Sequence, residues 1–262
     1  MLFRTDDGVS LHCLDEGQGP PVLLLHAFPL NAESFRPQLD ALSPRYRLLV
    51  PDHRGFGRSG LAPGQEVTEM SRIARDGLAL LDHLRIPAAV IGGVSMGGYA
   101  TMALLRHDPG RVRGLVLADT RATEDDAAGK KRREELARAT LERGSQVLVE
   151  AFLPLLLSAN ASPSLRQQVA EMIAKNSPLG AAAALRGMAV RGDSLDILAR
   201  YGGPALILVG ENDALTPQEK SSEMLNLLSG GRLIVIPRAG HLSNLEAPDA
   251  FNQSLADFLS GL

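Results

Sequence analysis

The sequence predicts an α/β protein with one mostly parallel sheet that is covered by helices on both faces. Short apolar runs alternate along the chain with longer segments whose apolar residues recur three or four positions apart. The apolar runs are continuous, which is typical of strands buried on both faces. With 262 residues, the chain is long enough for one sizeable core and can still be a single folding unit with an insertion.

The predicted strands are the apolar runs themselves. They are VLLLHA (22–27), YRLLVPD (46–52), AAVIGGVS (88–95), RGLVLAD (113–119), ALILVGEND (205–213) and RLIVIP (232–237). The opening stretch differs, because Asp7 and Gly8 lie between two short runs and predict a hairpin. We therefore expect antiparallel strands at one edge of the sheet.

Helices are predicted between the strands. Their sequences are NAESFRPQLDALS, MSRIARDGLALLDHL, MGGYATMALLRH, PQEKSSEMLNLLS and APDAFNQSLADFLSGL. The alternation breaks only over residues 121–200, where helical periodicity continues without a convincing strand. The sequence thus predicts a core formed by residues 1–120 and 201–262, with a helical cap at 121–200.

Composition and charge describe an ordinary globular protein. The chain is 45% hydrophobic and 22% charged with a net charge of -3. It therefore lacks the excess of positive charge that binds nucleic acid or an anionic membrane. The single cysteine, Cys13, cannot form an internal disulfide or a thiolate metal site. No signal-peptide or membrane-span pattern is visible, so we expect a cytoplasmic protein. The sequence leaves open whether the protein forms a homo-oligomer, since nothing in it reports on assembly.

A serine marks the point where the strand at 88–95 gives way to a helix. The segment Gly93-Val94-Ser95-Met96-Gly97 fits the G-x-S-x-G pattern in the strand-to-helix context that the pattern requires. Glycines on both sides allow a sharp turn that exposes the serine hydroxyl. A plain helix N-cap would explain Ser95 but not these glycines, each of which weakens a regular element by about 0.5–1 kcal/mol. The pattern indicates a nucleophile.

A serine nucleophile needs a base, and chain position selects His241 among the six histidines. His241 follows the last predicted strand through a short glycine-containing loop, as the order serine, acid, histidine requires. His53 also follows a strand but comes too early. The others lie in the edge hairpin, on predicted helices or in an earlier loop: His12, His83, His107 and His26.

The base needs an orienting acid after a strand between the serine and the histidine. Asp213 in GENDALTP meets this condition and is the preferred candidate. Asp119, after the preceding strand, is its rival, although it would also serve as a helix cap at the start of the insertion. Glu211 and Asn212 share the loop of Asp213, but their side chains point in other directions.

An oxyanion hole completes the predicted site. One donor is the backbone N–H of Met96, directly after the serine. The second is the N–H of Phe28 in HAFPLN, a loop at the carboxyl end of an earlier strand, where Pro29 has no N–H to offer. We expect His26 to orient this loop by side-chain hydrogen bonding.

These segments resemble the α/β-hydrolase family over essentially the whole chain. HAFPLN corresponds to the oxyanion loop, DHRGFGRS to the next loop, GVSMGG to the nucleophile elbow, GENDALTP to the acid loop and GHLSNLEAP to the histidine loop. The resemblance implies a two-step acyl transfer in which Ser95 attacks an ester carbonyl, His241 moves the proton and Asp213 holds the imidazole. It implies that no metal or organic cofactor is needed.

Departures from the family pattern reduce the number of reactions that the resemblance implies. A serine nucleophile sets the chain apart from haloalkane dehalogenases and epoxide hydrolases, which use aspartate. Phe28 and Leu242 stand where perhydrolase-like relatives and carbon–carbon bond hydrolases often have tryptophan, and the chain has none. HLSNLE and HAFPLN are similar to the corresponding loops of 3-oxoadipate enol-lactonases.

We therefore expect a serine carboxylesterase that hydrolyses small, rather apolar esters. The alternative is an enol-lactone hydrolase, which needs a cationic pocket residue, and the arginines give no sign in the sequence of facing a pocket. A ligand-binding homologue without catalysis is the third possibility. In the cap, AFLPLLL (151–157), Met172 and Met188 either line an apolar pocket or pack within the cap. The run KKRREE (130–135) is interpreted as a solvated helix face.

Overall fold

The computed structural model describes residues 1–262 and contains one eight-stranded sheet. Its strands are β1 (Leu2–Arg4), β2 (Ser10–Glu16), β3 (Pro21–Leu25), β4 (Arg47–Pro51), β5 (Ala89–Val94), β6 (Val112–Ala118), β7 (Pro204–Gly210) and β8 (Gly230–Ile236). Across the sheet they run in the order β1-β2-β4-β3-β5-β6-β7-β8. Pairing is antiparallel from β1 to β2 and from β2 to β4, and parallel between all other neighbours. The predicted α/β class and edge hairpin are confirmed.

Eleven α-helices accompany the sheet. They are α1 (Arg36–Leu42), α2 (Met70–His83), α3 (Met96–His107), α4 (Ala127–Arg143), α5 (Gln146–Leu156), α6 (Pro163–Ala174), α7 (Pro178–Ala189), α8 (Leu195–Arg200), α9 (Gln218–Leu225), α10 (Ser243–Glu246) and α11 (Pro248–Ser260). The short helices α8 and α10 were not predicted as separate elements, although α8 lies within the segment 121–200 that was expected to be helical. Both are too short for apolar periodicity to register. No helix combines the length and apolar composition needed to cross a bilayer.

The centre of the sheet is β5, and it determines where chemistry can occur. All six residues of β5 are buried, because parallel partners cover both of its edges and helices cover its faces. The strands β3, β5, β6, β7 and β8 are parallel, so their carboxyl ends meet at one edge of the sheet. The loops that follow them therefore share a single region, which is where ligands bind in open α/β sheets.

Residues 121–200, called the cap segment below, contain the helices α4 to α8 and no strand. Helix α4 packs against α7, and α5 packs against α6. The contacts between helices are apolar and fully buried at Leu148, Val169, Ile173 and Leu185. The chain re-enters the sheet at β7, which pairs in parallel with β6.

A buried arginine holds the loop after β4. The side chain of Arg54 is 1% exposed and donates to Asp76 of α2 at 2.6 Å and to Asp7 of the edge hairpin at 2.9 Å. Arg72 donates to the same Asp76 carboxylate at 2.8 Å. Since a buried charge is tolerated only when it is paired, Arg54 joins three separate parts of the core.

Replacing this arginine should cost more than replacing an exposed one. Arg54→Ala leaves Asp76 with a single cationic partner in a buried setting, so we expect a loss of about 3 kcal/mol in the free energy of unfolding. Urea denaturation at pH 7 measures this loss. The control is Arg36→Ala, because Arg36 is 35% exposed in its pairs with Glu16 and Glu33 and should cost less than about 1 kcal/mol. Equal losses in the two variants would contradict the assignment.

Candidate active site

Ser95 lies in a strained turn between β5 and α3. Its backbone has φ +55° and ψ -112°, a region that non-glycine residues adopt only when the surroundings impose it. The Ser95 N–H donates to the carbonyl of Ala118 at 2.9 Å, and the Ser95 carbonyl accepts from Thr120 Oγ1 at 2.8 Å. The turn is thus fixed by the neighbouring strand β6 and the residues that follow it.

The flanking glycines permit close backbone packing around this turn. A Cβ on Gly97 would lie 1.9 Å from the carbonyl oxygen of Leu25 in β3, and a Cβ on Gly93 would lie 2.2 Å from the carbonyl carbon of Gly97. Any side chain at either position would push α3 away from the sheet. The glycines therefore allow the approach that turns the Ser95 hydroxyl out of the sheet.

The structure brings Ser95, His241 and Asp213 into one hydrogen-bonded chain. Ser95 Oγ lies 2.7 Å from His241 Nε2, and His241 Nδ1 lies 2.9 Å from each carboxylate oxygen of Asp213. The side chains of His241 and Asp213 are 2% and 0% exposed. Such an arrangement can draw the proton from the serine hydroxyl and stabilise the imidazolium that results.

The acid loop fixes the Asp213 carboxylate. Oδ1 accepts the backbone N–H groups of Leu215 and Thr216 at 2.9 Å, and Oδ2 accepts the Thr216 hydroxyl at 2.7 Å. Burial opposes ionisation of Asp213, but the charge and hydrogen bond of His241 and the bonds from Thr216 hold its pKa below the ordinary value. Burial likewise opposes a charge on His241, yet the Asp213 carboxylate raises the pKa of His241.

Asp119, the rival acid, lies beside the same loops without a hydrogen bond to His241. Its Oδ1 accepts the N–H of Gly210 at 2.8 Å, and its Oδ2 accepts the N–H and hydroxyl of Ser243 at 3.3 and 2.5 Å. Burial and then the charge of Asp213 raise the pKa of Asp119 to about 7. Asp119 therefore braces the acid loop against the histidine loop, and the first helix of the insertion, α4, is capped by Asp126 instead.

The loop after β3 is held by a pair of histidines whose rings are in contact. His26 Nδ1 donates to the carbonyl of Ala27 at 2.9 Å, and His26 Nε2 accepts the N–H of His53 at 3.0 Å. The two rings lie 3.9 Å apart between centroids. Burial lowers the pKa of His26 well below its usual value and that of His53 to about 4, so both rings are neutral. The side chain of His26 thus has the loop-orienting role predicted for it.

The two predicted oxyanion donors come from the loop after β3 and from the start of α3. The N–H of Phe28 donates to no acceptor within the protein, and Phe28 lines the same cavity as Ser95. Met96 is the first residue of α3, where the leading N–H groups have no partner inside the helix. Both donors are therefore available to a negatively charged oxygen.

A cavity of about 580 Å³ contains Ser95 and His241. Its apolar lining is Phe28, Leu136, Ala151, Phe152, Leu155, Leu156, Leu185, Met188 and Leu215. Met172, which the sequence also offered as a pocket residue, is buried in packing with other apolar side chains instead. Charged residues complete the lining: Arg121, Arg132, Arg133, Lys220, Glu124, Asp125 and Asp126. A larger cavity of about 720 Å³ shares Tyr99 and Arg121 but contains no member of the hydrogen-bonded chain.

Sequence reasoning missed the residues that hold the histidine loop. Glu246 accepts the Gly240 N–H at 2.8 Å and the Ser158 N–H and hydroxyl at 3.0 and 2.6 Å. Glu246 thereby joins the histidine loop to the residues that follow α5 in the cap segment. Its only signal in the sequence is a carboxylate five residues after His241.

Comparison with known proteins extends over nearly the whole chain. A family model described as the alpha/beta hydrolase fold matches residues 20–248. The chain is 28% identical to 3-oxoadipate enol-lactonase 2 of Acinetobacter baylyi over 258 residues, covering 96% of this chain and 93% of that protein. It is 30% identical to a putative carbamate hydrolase of Azorhizobium caulinodans over 98% of both chains. The structure of a thermophilic esterase from Thermogutta terrifontis with malate bound matches with a TM-score of 0.95 and 36% identity, covering 99% of this chain and 96% of that chain.

Two isosteric substitutions should separate the roles of the two buried acids. Asp213→Asn removes the charge that faces His241 Nδ1, so the rate at which a fluorophosphonate labels Ser95 should fall on the order of 10³-fold or more. Asp119→Asn leaves that contact in place, so its loss in labelling rate should be at least tenfold smaller than the loss in Asp213→Asn. A larger loss in Asp119→Asn than in Asp213→Asn would identify Asp119 as the orienting acid.

The protonation of His241 should determine the pH dependence of labelling. Because only neutral His241 accepts the serine proton, the rate falls as pH drops through the pKa of His241. That pKa is raised, so the midpoint should lie above the ordinary histidine value of about 6.5. The midpoint should move less in Asp119→Asn than in Asp213→Asn, since Asp213 contributes more to the raised pKa. A wild-type midpoint below 6 would contradict the coupling.

Proposed function

Because this chain belongs to the α/β-hydrolase family, we propose that it is a serine hydrolase that cleaves carboxylic esters through an acyl-enzyme. The observation that carries the proposal is the 2.7 Å contact between Ser95 Oγ and His241 Nε2, together with the 2.9 Å contact between His241 Nδ1 and the Asp213 carboxylate. A protein that only bound its ligand would have no need for this contact, so it favours an enzyme over a ligand-binding homologue.

Acylation begins when Ser95 Oγ attacks the ester carbonyl carbon while His241 Nε2 takes the hydroxyl proton. Asp213 stabilises the imidazolium through its contact with Nδ1. The carbonyl oxygen becomes an oxyanion that accepts the N–H groups of Met96 and Phe28, and each such donor is worth about 10²–10³ in rate. Collapse of the tetrahedral intermediate breaks the bond to the alcohol oxygen, which leaves with the proton from His241.

Deacylation repeats these steps with water as the nucleophile. His241 Nε2 takes a proton from water, the hydroxide attacks the acyl carbonyl, and the same two N–H groups hold the oxyanion. The intermediate then collapses with cleavage of its bond to Ser95 Oγ, which takes the proton from His241 as the carboxylic acid leaves.

The cavity lining supports small, rather apolar esters as substrates. Phe28, Phe152, Leu156 and Met188 supply apolar surface in the cavity that contains Ser95. Phe152 and Phe28 pack edge to face with centroids 5.3 Å apart, so the loop after β3 and the cap segment enclose one apolar region. The similar structure described as an esterase supports ester hydrolysis as the reaction.

A second candidate is hydrolysis of an acidic enol-lactone. It is favoured by the basic side chains of Arg121, Arg132 and Arg133 in the same cavity, and by relatives described as enol-lactonases. The chemistry at Ser95 is the same, because opening a lactone also cleaves an ester bond. The two candidates differ only in what the rest of the substrate carries.

Ser95→Ala should abolish hydrolysis of p-nitrophenyl butyrate. Without the nucleophile, we expect kcat to fall on the order of 10³-fold or more, and a fluorophosphonate probe should label the wild-type protein at Ser95 alone. Spectrophotometric release of p-nitrophenol and peptide mass spectrometry measure these outcomes. Ser254→Ala, a serine on α11 that donates within its own helix, is the matched control and should keep full activity. Persistent hydrolysis by Ser95→Ala, or an unlabelled Ser95, would refute the proposal.

A further inference from the structure

Asn176, which lies in the cap segment between α6 and α7, contacts the loop after β3 that carries the oxyanion donor Phe28. Asn176 is 5% exposed, and its Nδ2 donates to the carbonyl of Pro29 at 2.6 Å. Pro29 directly follows Phe28, and no other group of the protein donates to the Pro29 carbonyl. A single amide of the cap segment therefore holds this part of the loop.

The surroundings of Asn176 require an amide in one orientation. Nδ2 also donates to the carbonyl of Met172 at 3.2 Å, and Oδ1 accepts the N–H of Gly57 at 3.5 Å. Two carbonyls thus face the donor end and one N–H faces the acceptor end, a pattern that neither a carboxylate nor a hydroxyl can match. Ser145, at the start of α5, donates to the backbone carbonyl of Asn176 at 2.7 Å, so the position of the amide is fixed as well.

The N–H of Phe28 is part of the turn that Asn176 holds. It belongs to the same planar peptide group as the carbonyl of Ala27 and points in the opposite direction. That carbonyl accepts His26 Nδ1 and the N–H of Leu30, both at 2.9 Å, which closes a turn around Phe28. His26 therefore fixes the turn from within the core, and Asn176 fixes it from the cap segment.

Loss of the Asn176 amide would leave the Pro29 carbonyl buried without a donor. Because an unsatisfied buried carbonyl is costly, the turn would rearrange toward another donor and would move the Phe28 N–H with it. His26 holds the turn only at its start, so it cannot by itself keep the Pro29 carbonyl in place. A displacement of about 1 Å in a site of this kind can lower a rate on the order of 10²-fold.

We propose that Asn176 is a positioning residue for ester hydrolysis, because it keeps the Phe28 N–H directed at the oxyanion. Asn176 is absent from the lining of the cavity that contains Ser95, so it acts through Pro29 and the turn. The cap segment then contributes to the rate of the chemical step and not only to the choice of substrate. This inference rests on the proposed function, since an oxyanion forms only if Ser95 attacks a carbonyl carbon.

The test compares an ester with its thionoester, in which sulfur replaces the carbonyl oxygen. The two substrates are p-nitrophenyl butyrate and O-p-nitrophenyl thionobutyrate. Sulfur accepts hydrogen bonds more weakly than oxygen, so the oxyanion donors accelerate hydrolysis of the ester more than that of the thionoester. The ratio of the two kcat values measures how well the donors are placed, and it does not depend on the fraction of protein that is folded.

Two substitutions remove the amide of Asn176. In Asn176→Ala, we expect kcat for the ester to fall at least about tenfold with KM within about threefold, and kcat for the thionoester to fall less than about threefold. Asn176→Leu removes the same hydrogen bonds, keeps most of the side-chain volume and should change the ratio equally. The matched control is Thr140→Val in α4, because Thr140 is also buried in the cap segment and its hydroxyl donates only to the Leu136 carbonyl at 2.7 Å. It should leave the ratio within about twofold.

The outcomes separate this inference from the proposed function. A ratio of ester to thionoester that falls at least about threefold in both Asn176 variants, but not in Thr140→Val, supports the inference. Equal losses for the two substrates, or no loss, overturn it and leave the ester hydrolase intact, with Asn176 serving only the stability of the cap segment. If circular dichroism shows that Asn176→Ala is unfolded, Asn176→Leu decides. A wild-type protein that hydrolyses neither substrate overturns the proposed function and the inference with it.

Discussion

The candidate site depends on one strained backbone position. Ser95 holds φ +55° where β3 and α3 approach the end of β5 so closely that Gly93 and Gly97 have no room for a side chain. Packing of the sheet thus imposes a conformation that costs about 1–3 kcal/mol in isolation. In return, the serine hydroxyl is placed at the carboxyl edge, where the loops after β7 and β8 bring Asp213 and His241.

Buried polar side chains then fix the loops around that turn. His26 joins the loops after β3 and β4, Asp119 joins those after β7 and β8, and Glu246 joins the histidine loop to the cap segment. Each of these groups accepts backbone N–H donors, so losing it would leave buried donors unsatisfied. These braces keep His241 in reach of both Ser95 and Asp213, although none of the three braces is hydrogen-bonded to Ser95 or Asp213. Precise placement of the reacting atoms therefore depends on residues that do not react.

The sequence allowed the sheet, most helices and the members of the hydrogen-bonded chain to be predicted. Strand periodicity and glycine spacing are local signals, and the order of Ser95, Asp213 and His241 follows from strand order. The preference for Asp213 over Asp119 agrees with the observed contact to His241 Nδ1. The bracing role of Asp119 and the direction in which Arg121 points were not predictable, because both depend on segments that meet only after folding. Met172 illustrates the same limit, since its apolar character suited a pocket and a packed interior equally well.

Because of these constraints, the core and the cap segment contribute different groups to the site. Residues that move protons lie on loops fixed by the parallel sheet, where a small displacement would separate Ser95 from His241. The cap segment lies outside the sheet and tolerates groups that a packed core would reject. There, three arginines share the single carboxylate of Asp125. An interior made only for stability would balance or omit these charges, since replacing buried ion pairs by apolar groups is often neutral or stabilising. Asp125 and its arginines thus form a polar wall beside the apolar lining of the cavity that contains Ser95.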